Sequence, residues 1–373
     1  MNPQSIFCPN LDCPARGQVG KGNIGVHSRK EQRYGCEVCG ETFAARKGTI
    51  FYRLQTDPTT VILVLTLLAY GCPVQAIVAA FGFDERTVKN WWQRAGRHCQ
   101  KVHERVVGHS QLDLGQVQAD EIKAKIQGGA IWMAMAIMVS TRLWLGGEIS
   151  RHRDKALIEA LVGRVRAMAL CRPLLVAVDG LPSYVGAFYR AFRSKLPRHG
   201  QGGRAKLRPW SELHLVQVVK QRSAGTLTIQ RRIVQGCAHQ IASLIQASQG
   251  AGGINTAFIE RLNATFRQRL NVLARRTRTL ARQPDTLQAG MYVVGCVYNF
   301  CTYHHSLRVA FALSLRSQRW LQRTPAIAAG LTDHRWTLAE LFSFKVPPPR
   351  WSPPKRRGRP SKETLRLIEL WSS

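Results

Sequence analysis

One stretch constrains the chain more than any other: residues 254–276, INTAFIERLNATFRQRLNVLARR. Ile259, Leu262, Phe266, Leu270 and Leu273 recur there at steps of three and four. That period predicts one amphipathic helix whose apolar stripe must lie on a core. Glu260, Asn263, Arg267 and Asn271 repeat at the same spacing on the neighbouring face. Between Glu159 and Asp285 the only other acids are Asp179 and Glu212. A lone carboxylate beside a buried stripe, followed by arginines, suits a metal ion with phosphate nearby; the plain alternative is an exposed Glu on a basic helix. The choice turns on partner carboxylates upstream.

A length of 373 residues allows two or more domains, and a hydrophobic content of 45% excludes a disordered chain. Lys plus Arg number 54 against 22 Asp plus Glu, a formal charge of +32 spread through segments that read as folded. Such an excess favours nucleic acid as partner over an acidic protein or a membrane surface. The apolar runs at 61–69 and 130–139 are too short to span a bilayer and read as a core helix and a core strand. MNPQSIFCPN has no basic start followed by an apolar run, so no export signal is expected. Metal ligation is then expected of spaced cysteines, rather than disulfides.

Cys8, Cys13, Cys36 and Cys39 form C-x4-C-x22-C-x2-C. Two short-spaced pairs can each close half of a tetrahedral, all-thiolate Zn2+ site, which predicts a zinc ribbon over residues 1–50. His27 is a weaker spare ligand. A helical block, 51–108, follows. Residues 58–70 read as a buried helix, and a second runs from Pro73 to near Phe81, with Gly82 in the turn. Asp84 caps a third over 84–99. Its inner face is Val88, Trp91 or Trp92, Ala95 and Cys99; Arg86, Lys89, Asn90, Gln93, Arg94 and Arg97 remain outside. This is a helix-turn-helix pattern with 84–99 as the helix that reads DNA; a plain three-helix bundle is the bland alternative.

From Gln111 the pattern changes to strands. GQVQADEIKAKI carries Asp120 and Glu121; AIWMAMAIMVS and RLWLGGEIS follow; residues 153–169 read as helix. RPLLVAVDG is a buried strand that delivers Asp179 at its end, 183–195 reads as helix and LHLVQVV, 213–219, as another strand. The order β-β-β-α-β-α-β-α resembles the ribonuclease H-like fold. The expected class is therefore α/β: a ribonuclease H-like core over 111–310, preceded by a zinc ribbon and a helix-turn-helix domain. A helical segment, 311–345, and a basic Pro-rich tail, 346–373, come after it. In the core Asp120, Asp179 and Glu260 fall on strand one, strand four and a later helix. Strand alternation turns Glu121 away from Asp120. Glu212 and His214 are rivals beside a strand.

Carboxylates from distant sequence suit Mg2+ or Mn2+, which clamp the oxygens of a phosphoryl displacement. Basic segments flank the core. Residues 197–210 hold Arg198, Arg204, Lys206 and Arg208, and 261–282 hold seven arginines, Arg269 and Arg275 among them, with no acid in either. Both suit phosphate backbones, as does Asn263 beside them. KRRGRP, 355–360, resembles the AT-hook of the minor groove; the plain reading is a disordered, solvated tail.

The chain resembles bacterial insertion-sequence transposases of the DDE class, most of all insertion-sequence-one-like members with an N-terminal zinc ribbon. The resemblance rests on the ribbon cysteines, the helix-turn-helix, the DE pair at 120–121, VAVDG at 176–180, INTAFIERLNATFRQRL at 254–270, YNFCTYHHSLR at 298–308 and TPAIAAGLTDHRWTLAEL at 324–341. It spans nearly the whole chain apart from the Pro-rich tail. The IERLN block with a basic residue seven positions after its Glu is the most specific part. The C-x4-C first pair is wider than the commoner C-x2-C. The resemblance implies that Asp120, Asp179 and Glu260 are the catalytic ligands of Mg2+ or Mn2+, accompanied by Arg267. It implies metal-dependent cleavage and joining of double-stranded DNA, at element terminal repeats and target sites, by a homo-oligomer in the bacterial cytoplasm at the nucleoid. The alternative is a transposase-derived regulator that binds DNA without catalysis.

Overall fold

A computed structural model of the chain describes residues 2–127, 129–196, 205–223, 226–275, 283–310, 320–353 and 358–371. It divides into two compact units, residues 1–58 with 342–373, and residues 59–341.

In the first unit β1 (Ile24–Ser28), β2 (Arg33–Cys36) and β3 (Thr42–Ala44) form an antiparallel meander in that order. Its core is too small to rest on hydrocarbon alone: Ile24, Tyr34 and Phe43 gather around three buried cysteines. The Pro-rich segment departs from the expected free linker. Proline leaves carbonyls without a local donor, and Arg16 supplies one, its Nε donating to the Pro349 carbonyl at 2.8 Å and its Nη2 to that of Arg350 at 3.2 Å. An amphipathic helix, Lys362–Trp371, ends the described chain, and Gln18 donates to the Trp371 carbonyl at 2.8 Å. Of the KRRGRP motif, Lys355, Arg356 and Arg357 lie outside the described residues.

The second unit opens with three helices, α1 (Pro58–Ala69), α2 (Val74–Phe81) and α3 (Glu85–His103). Gly82, at φ 69°, closes α2 in the left-handed region that glycine enters freely. The Asp84 carboxylate accepts from the Arg86 and Thr87 N–H groups and starts α3. α3 runs past the expected end at residue 99 because its inner face, Val88, Trp91, Ala95 and Cys99, continues through Val102 and His103.

A six-stranded mixed sheet follows. Its strands are β4 (Gln116–Ile126), β5 (Gly129–Met138), β6 (Trp144–Ser150), β7 (Leu174–Asp179), β10 (Leu213–Ser223) and β11 (Thr226–Gln235), in the order β11-β10-β7-β4-β5-β6. β4, β7 and β10 are parallel, and the other pairings are antiparallel. Between β6 and β7 runs α4 (Lys155–Met168), and after β7 comes α5 (Pro182–Ala191). The helix expected over 183–195 stops early. Phe192 is fully buried at φ −93°, ψ 68°, and Arg193–Lys195 turns into a short strand, β8, paired with β9 (Leu207–Pro209). After β11 come α6 (Ala238–Gln249), α7 (Ala257–Arg269) and α8 (Pro284–Cys296). The helix expected over 254–276 is thus shorter. Asn255 Oδ1 accepts from the Ala257 N–H at its start, and Leu270 is extended at φ −118°, ψ 100° at its end. Leu270 and Leu273 stay buried although the helix has ended.

Trp144 ties β6 to the helices. Its ring centroid lies 4.5 Å from His103, 5.9 Å from Phe266 and 5.7 Å from Tyr292. Asn299, fully buried, holds the Trp144 backbone from both sides, its Oδ1 accepting from the N–H and its Nδ2 donating to the carbonyl, each at 2.9 Å.

α3 and α8 touch backbone to backbone at Gly96, where a Cβ would meet the Ala289 Cβ at 2.3 Å and its Cα at 2.4 Å. Gly96→Ala should therefore destabilise the chain by about 1–3 kcal/mol, the usual cost of overpacking. Gly163, exposed on α4, has nothing within 4 Å. Gly163→Ala should stabilise by about 0.5–1 kcal/mol through helix propensity. Urea unfolding of the two variants reads both, and the same sign for both would refute this packing.

Candidate functional site

Two clusters bring ligand-type side chains together among the described residues: Cys8, Cys13, Cys36 and Cys39, and Asp120, Glu121 and Asp179, the ligand atoms of each lying within 4.8 Å of one another. Cys8 and Cys13 come from the loop before β1, Cys36 from the end of β2 and Cys39 from the turn after it. Cys8 Sγ is 3.7 Å from Cys39 Sγ, and Cys13 Sγ is 3.8 Å from Cys36 Sγ. A disulfide at about 2.05 Å is excluded. Four thiolates held tetrahedrally at about 2.3 Å from Zn2+ stand about 3.8 Å apart. The four cysteines therefore fit a zinc ion in both spacing and donor type. Burial, with the neighbouring thiols, raises the Cys8 and Cys13 pKa values. At Cys39 hydrogen bonds from the Glu41 backbone and the Asn10 side chain outweigh burial and lower it. His27 is exposed and outside the cluster.

The carboxylates meet where two parallel strands part. β4 and β7 pair through Gln118↔Ala177 and Ala119↔Val178, and there the ladder stops. Two residues beyond Gln118 and Ala177, Asp120 and Asp179 carry on the same face. Glu121 leaves the strand on the opposite face, yet its carboxylate joins them. Alternation fixes the face on which a side chain leaves the strand, not where a long one ends, and β4 has no β7 partner beyond Ala119. The expectation that Glu121 points away is corrected on this point.

α7 is docked over the same strand. Gln118 Oε1 accepts from the Phe258 and Ile259 N–H groups, at 3.0 Å each, and Gln118 Nε2 donates to the Asn255 carbonyl at 2.8 Å. The first N–H groups of a helix have no partner within it, and here a strand side chain supplies one. One turn on, Asn263 Nδ2 donates to Asp120 Oδ2 at 2.8 Å, while the Glu121 N–H donates to Asp120 Oδ1 at 2.8 Å. Glu260 stands at the rim. Its carboxylate accepts from Lys220 of β10 and, at 2.7 Å, from Thr256 Oγ1. Arg153 Nη2 lies 3.3 Å from both Glu121 Oε2 and Asp179 Oδ2.

Burial, followed by the Asp179 and Glu260 charges, pushes Asp120 up to about 6. Burial and the Asp179 charge push Glu121 up to about 7. At Glu260 burial acts upward but the Lys220 and Thr256 hydrogen bonds win, and the carboxyl is held below its usual range. Burial and the Glu121, Asp120 and Asp179 charges raise the Tyr184 phenol far up, so it remains a donor. Three buried polar atoms around the acids have no partner: Glu121 Oε1, Asn263 Oδ1 and the Tyr184 hydroxyl. Hard oxygen ligands beside unspent polar atoms fit Mg2+ or Mn2+.

The remaining predicted contacts divide by exposure. Arg86, Asn90, Arg97 and Arg275 are exposed. Lys89 is exposed and pairs with Glu85 at 2.5 Å. Gln93 donates to Thr286 Oγ1 of α8 at 2.9 Å, so it serves packing, and Arg94 is half-buried. Arg267 is half-buried within electrostatic reach of Asp120. Arg269 lies over the Tyr70 ring at 4.7 Å. Asn263, expected at DNA, is 1% exposed and bonded to Asp120. Lys206 and Arg208 are exposed, while Arg198 and Arg204 lie outside the described residues, as do Arg276, Arg278 and Arg282. Glu212 immediately precedes β10 and His214 is its second residue, while Val218 of that strand pairs with Asp179. From 212 to 218 is about 20 Å of strand, too far to share an ion with Asp179.

No protein-family model matches the chain, and no curated protein matches it. Among the described residues no helix is long and apolar enough to cross a membrane.

The freshly purified chain should carry about one zinc ion. Cys36→Ser should release it and loosen residues 1–50 while the six-stranded sheet stays folded. Metal analysis with hydrogen exchange checks both, and zinc-free native protein would refute the assignment.

Proposed function

We propose that residues 111–310 form a ribonuclease H-like core and that the chain is a DDE-class DNA transposase, which cuts the ends of a mobile element and joins them to target DNA. One observation carries the reading: Asp120 and Asp179 stand at the parting of two parallel strands, under a helix whose first turn bears Glu260. The strand order supports it too: an antiparallel trio β4, β5, β6 is extended from β4 by parallel β7 and β10. β11, α6 and the β8–β9 pair are additions to the expected order.

In this reading Asp120, Asp179 and Glu260 hold Mg2+ or Mn2+, which stabilises the charge that develops on a phosphate during in-line displacement. Asn263 fixes the Asp120 carboxylate against rotation, and Thr256 does the same for Glu260. Arg267, near Asp120, offers a cation to the DNA backbone. Arg86, Asn90 and Arg97 give α3 a polar, cationic outer face suited to a major groove. The zinc ribbon adds a second rigid DNA-binding module. One observation favours a DNA-binding regulator instead: Lys220 already pairs with Glu260, and Arg153 with Glu121 and Asp179.

Asp120→Asn, Asp179→Asn and Glu260→Gln should each lower Mg2+-dependent cleavage of end DNA by roughly 10²–10⁴ or more. Binding to that DNA should persist, and Glu212→Gln should cleave normally. If wild type binds but never cleaves in Mg2+ or Mn2+, the regulator reading replaces this one.

Alanine at Arg86, Lys89 and Asn90 together should weaken binding to end DNA more than to random DNA. Equal loss on both, in a competition assay, would mean that α3 does not read sequence.

A further inference from the structure

Glu121 and Arg153 are left over by the reading above, and both are built into the site. Glu121 is 8% exposed, its side chain is fully covered, and its Oε1 has no partner. The Tyr184 hydroxyl, fully buried on α5 and facing the same acids, is also unspent. A covered carboxylate with one oxygen free is costly unless a cation meets it. Arg153 meets it weakly. A single nitrogen at 3.3 Å from each of two carboxylates is longer than the roughly 2.7–2.9 Å of a strong charge-assisted bond. The guanidinium also lies over the Trp132 ring, 5.1 Å from its centroid, and comes from the segment between β6 and α4, outside regular structure. In this one position the guanidinium is thus divided between two long carboxylate contacts and the ring.

We infer that Glu121 completes a divalent-cation site with Asp120 and Asp179, and that Arg153 is the side chain a bound ion displaces from it. Opposite ligands of an octahedral Mg2+ stand about 4.2 Å apart at about 2.1 Å each. At most one pair of three ligands is opposite and the others are adjacent, about 3.0 Å apart, so oxygens within 4.8 Å of one another close on an ion by moving inward by about 1–2 Å. Glu260, held by Lys220 and Thr256, is outside this trio. Displaced, Arg153 keeps its positive charge near the acids, free to meet a DNA phosphate. The inference deepens the proposed metal-dependent reading and rests on it for the class of ion.

The test is calorimetric titration of the zinc-loaded full chain with MnCl2. Glu121→Gln should weaken Mn2+ binding at least tenfold, Arg153→Ala should tighten it severalfold, and Glu212→Gln should bind as wild type. Urea midpoints establish that each variant is folded. If Glu121→Gln does not fold, Arg153→Ala decides alone: tighter binding supports the inference, and unchanged or weaker binding overturns it. Wild-type affinity in folded Glu121→Gln also overturns it, as does a wild type that binds no Mn2+. A chain that cleaves end DNA while Glu121→Gln binds Mn2+ normally loses this inference alone. A chain that binds Mn2+ through Glu121 but cleaves no DNA keeps it and loses the transposase reading.

Discussion

A buried glutamine amide sets the position of α7 on the sheet. Gln118 has no exposed surface, and both ends of its amide are spent on the start of that helix. Helix N–H groups buried without partners would each cost about 1–3 kcal/mol, so the contact holds the helix in place. A shift of one residue would move α7 about 1.5 Å and turn it about 100°. Both bonds would break, Asn263 would leave Asp120 and Glu260 would swing off the rim. Gln116, two residues earlier on the same face, accepts from Ser248 and Gln249 at the end of α6. Gln116, Gln118 and Asp120 thus form one polar row that α6 and α7 read in turn, and the third member is a carboxylate of the site.

Local signals were legible in the sequence. Cysteine spacing, the Asp84 cap, the Gly82 turn and an apolar strand closing on Asp179 each depend on a few neighbouring residues, and each is found where expected. Features that depend on tertiary pairing were not. Glu121 joins the acids just past the last β4–β7 pair, Ala119↔Val178, a place that strand alternation does not reveal. The apolar period through Leu270 and Leu273 survives as burial while the backbone leaves the helix, so periodicity alone overran the end of α7. Gln116 and Gln118 look in sequence like solvated residues of a half-exposed strand. β11 carries no buried stripe to announce it, since its residues are exposed or half-buried.

A chain of formal charge +32 gathers four of its few acids in one place, and it does so by local compensation. Asp120 is half-buried and held by two donors, and Glu121 and Asp179 share a guanidinium. Glu260, whose side chain is more exposed than those of Glu121 and Asp179, takes a lysine from β10. Burial, with the charge of Asp179, raises the Asp120 and Glu121 pKa values in spite of these partners. Raised folded-state values mean that ionisation of these two groups opposes folding above about pH 4, increasingly so up to about pH 7. A bound cation would relieve the same charge that binding requires.

The clasp of Asn299 on Trp144 has a consequence away from the acids. β6 and β11 are the two outer strands of the sheet. An outer strand presents unpaired backbone groups that can recruit a stray strand from another molecule. On β6 the Asn299 amide takes up the N–H and the carbonyl of Trp144, so part of that border is already claimed. β11 has exposed Leu227, Ile229 and Ile233, a hydrophobic row of the kind that invites stacking. Exposed Arg231 interrupts that row and exposed Arg232 lies on the other face, and two such borders approaching one another would bring like charges together. Positive charge on this chain thus also keeps one copy's sheet from extending into the next.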